Sequence, residues 1–309
     1  MDRRAFLSLA GAALLSAPWR EGGIARAALP ALAGDDICRT ARALPILVVS
    51  TGAGGLSYQG THILALGAMK DLATAFAASG GRLAVAGGGC DDGIAGVKRN
   101  LSDFGGMCCP VKGSAAEGLP HLVVAQDMKA VVAHPSNNVA GLSMDQLKQV
   151  ARGKILDWRV LGGETKPIAQ VVRRHCPEYI EPVRAALLDN RPDWSGKALF
   201  VDTDEQIVDL VSRFPAGLGV VSWVFARPLV AAGKLRLLAL DGRRPDRDRT
   251  RYPLTGPLSL IFGTWEAERM TPFFDFLYGE KGRAIVARDL IPVSREQAGY
   301  RGASTFGRA

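Results

Sequence analysis

Short apolar runs alternate with amphipathic stretches along most of the chain. Residues 45–50 are apolar and β-branched and are closed by glycines between Gly52 and Gly55, the pattern of a buried strand. Residues 69–78 place Leu72, Ala75 and Phe76 on one face and stop at Gly80-Gly81, which predicts a helix. Residues 83–86 predict a strand running into Gly87-Gly88-Gly89, and residues 121–124 and 128–133 are two further strand candidates. Ser143 followed by Gln146 is a capping-box pattern that opens a helix over 144–152. Segments 168–172, 205–213 and 217–223 continue the alternation, and residues 272–288 predict an amphipathic helix pair broken between Gly279 and Gly282. Strand and helix alternating without internal repeats predict an α/β protein with parallel sheets. In such sheets ligands sit beyond the carboxyl ends of strands, where helices begin.

Length changes the picture first. At 309 residues the chain exceeds the usual single-core domain, so two domains are expected. A hydrophobic content of 48% with 22% charged residues excludes a disordered or fibrous chain. The net charge of +8 is not clustered: Arg243, Arg244, Arg247, Arg249 and Arg251 are interleaved with Asp246 and Asp248, a solvated loop and not a nucleic-acid patch. At the N-terminus, Arg3-Arg4-Ala5-Phe6-Leu7 precedes an apolar run to Ala17 and a small-x-small site, Ala25-Arg26-Ala27. This is the layout of a cleaved export signal over residues 1–27, similar to the twin-arginine type. The apolar run is shorter than the roughly 20 residues a bilayer span needs. A periplasmic protein, not membrane-embedded once mature, is expected, with residues 28–43 as a leader.

A series of motifs resembles the phosphate-binding proteins of ABC importers. It begins at Asp127-Met128-Lys129-Ala130-Val131-Val132-Ala133-His134-Pro135-Ser136-Asn137 and continues through Gly153-Lys154-Ile155-Leu156-Asp157-Trp158. Pro215-Ala216-Gly217-Leu218-Gly219-Val220-Val221-Ser222 and Tyr252-Pro253-Leu254-Thr255-Gly256-Pro257-Leu258 follow in the family's order. The resemblance implies the type 2 periplasmic binding protein fold: one lobe from residues 44–127 plus 222–309, a second from 128–221, and two backbone crossings as a hinge. It also implies capture of a small solute and delivery to an ABC permease or a sensor, without catalysis.

Carried over loop by loop, the family's anion-binding positions do not suit phosphate. Gly67-Ala68-Met69 stands where the family has hydroxyls, and Gly89-Cys90-Asp91-Asp92 replaces a second hydroxyl loop. Ser102-Asp103-Phe104-Gly105-Gly106-Met107-Cys108-Cys109 keeps the Asp but has two cysteines in place of Ser-Arg. Arg173-Arg174-His175-Cys176-Pro177-Glu178 keeps one Arg, and Pro177 removes an N–H donor. A helix N-terminus offers about half a positive charge, whereas Asp91, Asp92 and Glu178 each bring a full negative one. The expected ligand set is Ala68, Met69, Cys90, Asp91, Asp92, Asp103, Cys108, Cys109, Arg173, His175 and Cys176.

Four of the five cysteines fall in these loops, and only Cys38 lies elsewhere. Thiolates suit zinc, copper(I), iron–sulfur clusters and trivalent metalloids, with His175 as a further ligand to a soft metal on Cys90, Cys108, Cys109 and Cys176. The alternatives are structural disulfides, for example Cys90 with Cys108 or Cys109, phosphate or another oxyanion as the ligand, and a redox-active accessory role for the vicinal Cys108-Cys109 pair. His62, His121, His134 and the tryptophans Trp158, Trp194, Trp223 and Trp265 read as structural.

Overall fold

The structure is a computed structural model that describes residues 54–174, 176 and 178–306. The export-signal segment, the leader with Cys38, the strand expected at 45–50 and His175 lie outside the described residues. The described chain opens with β1 (Leu56–Thr61), buried at every position, and passes directly into α1 (His62–Leu64), a π-helical turn (Ala65–Met69) and α2 (Lys70–Ala77). The helix expected at 69–78 therefore begins seven residues earlier, and Ala68 and Met69 lie inside it. β2 (Leu83–Gly88), α3 (Cys90–Lys98) and β3 (Phe104–Met107) complete a first unit.

The two strands expected at 121–124 and 128–133 are one element, β4 (His121–Ala133). Asp127 and Lys129 interrupt the apolar pattern in the sequence, yet both are buried and the strand runs through them. Then come β5 (Gly141–Leu142), α4 (Met144–Ala151), β6 (Ala169–Arg173), α5 (Pro182–Leu188), β7 (Leu199–Val201), α6 (Asp204–Arg213) and β8 (Gly217–Ser222). The capping box of α4 forms as expected: Ser143 Oγ accepts from the Gln146 amide at 3.0 Å and Gln146 Oε1 accepts from the Ser143 amide at 2.8 Å. The chain ends with α7 (Trp223–Ala231), β9 (Arg236–Leu240), β10 (Thr255–Ile261), α8 (Ala267–Tyr278), α9 (Glu280–Val286) and β11 (Ile291–Pro292). Pro272 sits inside α8 instead of opening it.

The strands form one mixed sheet in the order β2-β1-β3-β10-β4-β8-β6-β7. β1 pairs parallel with β2 and β3, and β6 pairs parallel with β7 and β8. β4 joins the two parallel sets. Its first half pairs antiparallel with β10 and β11, and its second half with β8 and β9. β1 and β3 approach so closely that Gly60, at φ +151°, admits no side chain: a Cβ there would lie 2.3 Å from the Gly106 nitrogen. Phe104 of β3 packs at 5.4 Å between ring centroids on both Phe273 and Phe274, which pins α8 to this half of the sheet. Trp158 and Trp265 are packing residues, as expected: Trp158 is buried with its indole N–H on the Ala216 carbonyl, and Trp265 stacks on Phe262 and Phe274.

In the middle of β4, Asp127 and Lys129 form an ion pair at 2.7 Å with both side chains nearly inaccessible. Residues two apart on a strand face the same side, so the pair is built into the pleat. Ser222, opposite Lys129 in the β4–β8 register, donates to Asp127 Oδ1 at 2.7 Å and accepts from the Val224 amide at the start of α7. Burial pushes the Asp127 carboxyl up, and the Lys129 ammonium and the Ser222 hydroxyl work against that rise. Burial works against the Lys129 charge, but Asp127, backed by Cys108, Asp204 and Glu181, outweighs it and holds the ammonium protonated. Removing one partner of such a pair strands the other in low dielectric. Asp127→Ala is expected to lower stability by about 3–5 kcal/mol, and Lys129→Met added to it to restore most of the loss. Urea unfolding of the three proteins checks this.

Candidate functional site

Register points the ends of strands from both halves of the sheet toward the middle of β4. Met107, the last residue of β3, lies opposite Ser259, which lies opposite Val123 of β4. Ser222, the last residue of β8, lies opposite Lys129, and Arg173 ends the parallel neighbour β6. The chain leaving β3 at Cys108-Cys109 and the chain leaving β6 and β8 therefore converge beside Asp127 and Lys129. Carboxyl ends of strands from both halves meeting in one place is the arrangement in which open α/β sheets hold ligands.

Three thiols occupy this place. Cys90 is the first residue of α3, Cys108 and Cys109 follow β3, and all three are buried, free cysteines. Their sulfurs lie within 4.8 Å of one another, with Cys90 and Cys108 at 3.4 Å and the Cys108 amide donating to Cys90 Sγ at 3.3 Å. Hydrogen bonds from Cys109 and Cys90, together with the nearby Lys129 and Arg173 charges, hold the Cys108 thiol well below its ordinary pKa despite burial. The same hydrogen bonds, with burial, push Cys90 and Cys109 up.

Contacts from the β6–β8 half close over the cluster. Cys109 Sγ lies 3.9 Å from Cys176 Sγ, and the Tyr179 hydroxyl donates to Asp91 Oδ1 on α3. Burial pushes the Asp91 carboxyl up, partly opposed by the Tyr179 bond, and burial with Asp91 pushes the Tyr179 hydroxyl up. Arg173 forms a buried ion pair with Asp204 at the start of α6. Two polar groups at strand ends, Thr61 Oγ1 after β1 and the Trp223 indole N–H after β8, are buried with no hydrogen-bond partner among the described residues. Such groups are costly to bury unless something binds them. Beside Arg173, a cavity of about 370 Å³ is lined by Arg174, Glu181, Arg184, Trp194 and Phe200. A larger cavity of about 520 Å³, near Ser57, Asp103 and Arg269, lies at the opposite strand ends, away from the convergence.

The expected ligand set is thus brought together only in part. Cys90, Asp91, Cys108, Cys109 and Arg173 converge. Ala68 and Met69 do not: both are buried within the helical run, where a side-chain carbon on neighbouring Gly67 would strike Val224 and Leu290. β1 ends at Thr61 and α1 begins at the buried His62, so these two residues stand at the strand end where Gly67-Ala68-Met69 was expected. Asp92 caps α3 by accepting from the Gly89 amide at 2.8 Å. Asp103 precedes β3, at the far end from Cys108, and accepts from Ser57 at 2.7 Å and Arg269 at 2.7 Å. It is a structural carboxylate. Cys176 is disulfide-bonded and so cannot serve as a thiolate ligand, and its partner is none of Cys90, Cys108 and Cys109. The alternative of a Cys90 bridge to Cys108 or Cys109 does not form: these three are thiols. Tyr179, Lys129, Asp204 and Trp223 were missed as site residues. A Lys at i+2 from an Asp within an apolar strand was the one legible signal among them.

Burial makes the cluster chemically quiet in the native state. Alkylation mapped by mass spectrometry is expected to modify Cys90, Cys108 and Cys109 at least about tenfold faster in urea than in buffer, because access requires local opening. Cys176 is expected to resist in both until a reductant is added. Rapid native labelling of the three would contradict the packing described.

No protein-family model matches the chain. It is 25% identical over 196 residues to the phosphate-binding protein PstS of Bacillus subtilis, a match covering 56% of this chain and 57% of the relative. It is 19% identical over 180 residues to PstS of Borreliella burgdorferi, covering 55% and 64%. The chain thus spans about three-fifths of the length of these curated relatives. Among solved structures, a Clostridium perfringens protein described as a phosphate ABC transporter substrate-binding protein, with bound phosphate, superposes with a TM-score of 0.66 at 23% identity. That match covers 78% of this chain and all of the other. The chain is PstS-like, an α/β protein with the type 2 periplasmic binding protein fold.

Proposed function

We propose that the protein is a periplasmic solute-binding protein that captures a small ligand between two lobes and presents it to an ABC permease. The lobes are those implied by the sequence, residues 44–127 plus 222–309 and residues 128–221, hinged where β4 and the β8–α7 junction cross between them. The observation that carries this reading is the convergence of β3, β6 and β8 ends on buried polar groups, with Tyr179 and Cys176 of one lobe against Asp91 and Cys109 of the other. These contacts join parts of the chain that a hinge would separate, which supports reading this conformation as the closed one. The relatives are named for phosphate binding and transport. Among the described residues no helix is long and apolar enough to cross a membrane.

The ligand is read as a thiophilic species and not phosphate. Arg173 and Lys129, the cations nearest the cluster, already face Asp204 and Asp127. The N-terminus of α3 begins with Cys90, Asp91 and Asp92. A phosphate dianion would meet two carboxylates where the family offers hydroxyls, and the two cations nearest the cluster are already paired. The second reading, an oxyanion, is favoured by the relatives and by the arginine-bearing cavity beside Arg173.

Small-angle scattering tests the shared claim. Tyr179→Phe removes the hydrogen bond to Asp91 and is expected to shift the ligand-free population toward an open form with a larger radius of gyration. A hydrogen bond to a charged group contributes about 1.5–3 kcal/mol, so the open-to-closed ratio should change by about tenfold or more. Unchanged scattering in wild type and variant, with and without solute, would contradict the binding-protein reading. A thermal shift with inorganic phosphate alone would select the oxyanion.

A further inference from the structure

Of all the titratable and nucleophilic clusters in the molecule, Cys90, Cys108 and Cys109 form the one group of three or more metal-type ligands found among the described residues. The geometry points to a trithiolate site for a single trivalent metalloid, arsenite or its antimony analogue, and this rests on the solute-binding reading above.

Coordination number decides first. Zinc takes four ligands in closed protein sites, and among the described residues no His, Asp or Glu joins the three sulfurs at ligand distance. Cys176, a further sulfur nearby, is disulfide-bonded. The described donor set is three sulfurs. Spacing agrees: two sulfurs each about 2.3 Å from a common atom lie about 3.3 Å apart at a right angle between the bonds and about 3.8 Å at the tetrahedral angle. Cys90 and Cys108 stand at 3.4 Å, near the right-angle end, which is the angle of a pyramidal centre carrying a lone pair. The Cys109 sulfur, within 4.8 Å of the others, needs a side-chain movement of the order of an ångström to complete the set.

Charge decides second. The two nearest cations are already paired, Lys129 with Asp127 and Arg173 with Asp204, and Asp91 and Glu181 stand near Cys108 as well. Three thiolates around copper(I) would leave two negative charges in a buried place and around zinc one, whereas around a trivalent centre they leave none. Burying an uncompensated charge is strongly unfavourable, so the neutral complex is selected. The incoming species is neutral as well. Arsenite enters as the trihydroxide; three arsenic–oxygen bonds break, three arsenic–sulfur bonds form, and each thiol proton leaves with a hydroxide as water. No electron is transferred and no net proton is released.

The test uses the full-length chain purified under non-reducing conditions and sodium arsenite as the probe. Native mass spectrometry is expected to show one arsenic gained per chain with three hydrogens lost, and alkylation in urea to find Cys90, Cys108 and Cys109 protected in the loaded protein. Cys90→Ala, Cys108→Ala and Cys109→Ala should each weaken arsenite binding at least about tenfold, with circular dichroism checking the fold, while zinc chloride leaves all three thiols reactive in wild type. Preference for zinc over arsenite, unprotected thiols, or isolation with Cys90 bridged to Cys108 would overturn the inference. Lobe closure on phosphate without arsenite binding overturns this inference alone, whereas closure on neither solute also removes the solute-binding reading.

Discussion

The structure turns on a pair of opposite charges that water cannot reach. Asp127 and Lys129 lie in the middle of β4, the strand that pairs with β10 on the way in and with β8 on the way out. Neither charge is tolerable alone in that position, so the strand must be formed on both sides before the pair is shielded. Ser222 links the pair to the end of β8 and the start of α7. The ion pair therefore ties the geometry of the site to the integrity of the sheet, and its positive member also stabilises the Cys108 thiolate.

What surrounds that pair sets the chemistry. Arg173 is matched by Asp204, Lys129 by Asp127, and the first turn of α3 carries two carboxylates behind a cysteine. Fold similarity carries the mode of binding, capture between strand ends, further than it carries the ligand, because the ligand is read by a handful of loop side chains.

Much of the architecture was legible in the sequence because buried strands and amphipathic helices differ in period. α4 with its capping box, α6 and β8 could be read directly. Misreadings cluster where polar residues are buried in pairs or where a turn is short. Asp127 and Lys129 made one strand look like two. The family's first ligand loop was placed at Gly67-Ala68-Met69, whereas β1 ends at Gly60-Thr61, and the close approach of Gly60 to Gly106 is visible only in three dimensions. The convergence of Cys90 with Cys108-Cys109 followed from aligning loops by family order, and the structure brings them together because both loops leave the same ends of parallel strands, β2 and β3, on either side of β1. Asp103 and Cys176 did not follow: the carboxylate belongs to the other end of its strand, and a disulfide cannot be read from spacing.

The most direct measurement is X-ray absorption at the arsenic edge of the arsenite-treated protein in solution. A sulfur-lined receptor predicts a single shell of three sulfur neighbours with no oxygen in it, drawn from Cys90, Cys108 and Cys109. An arsenic atom surrounded only by oxygen, as in free arsenite, would contradict the account.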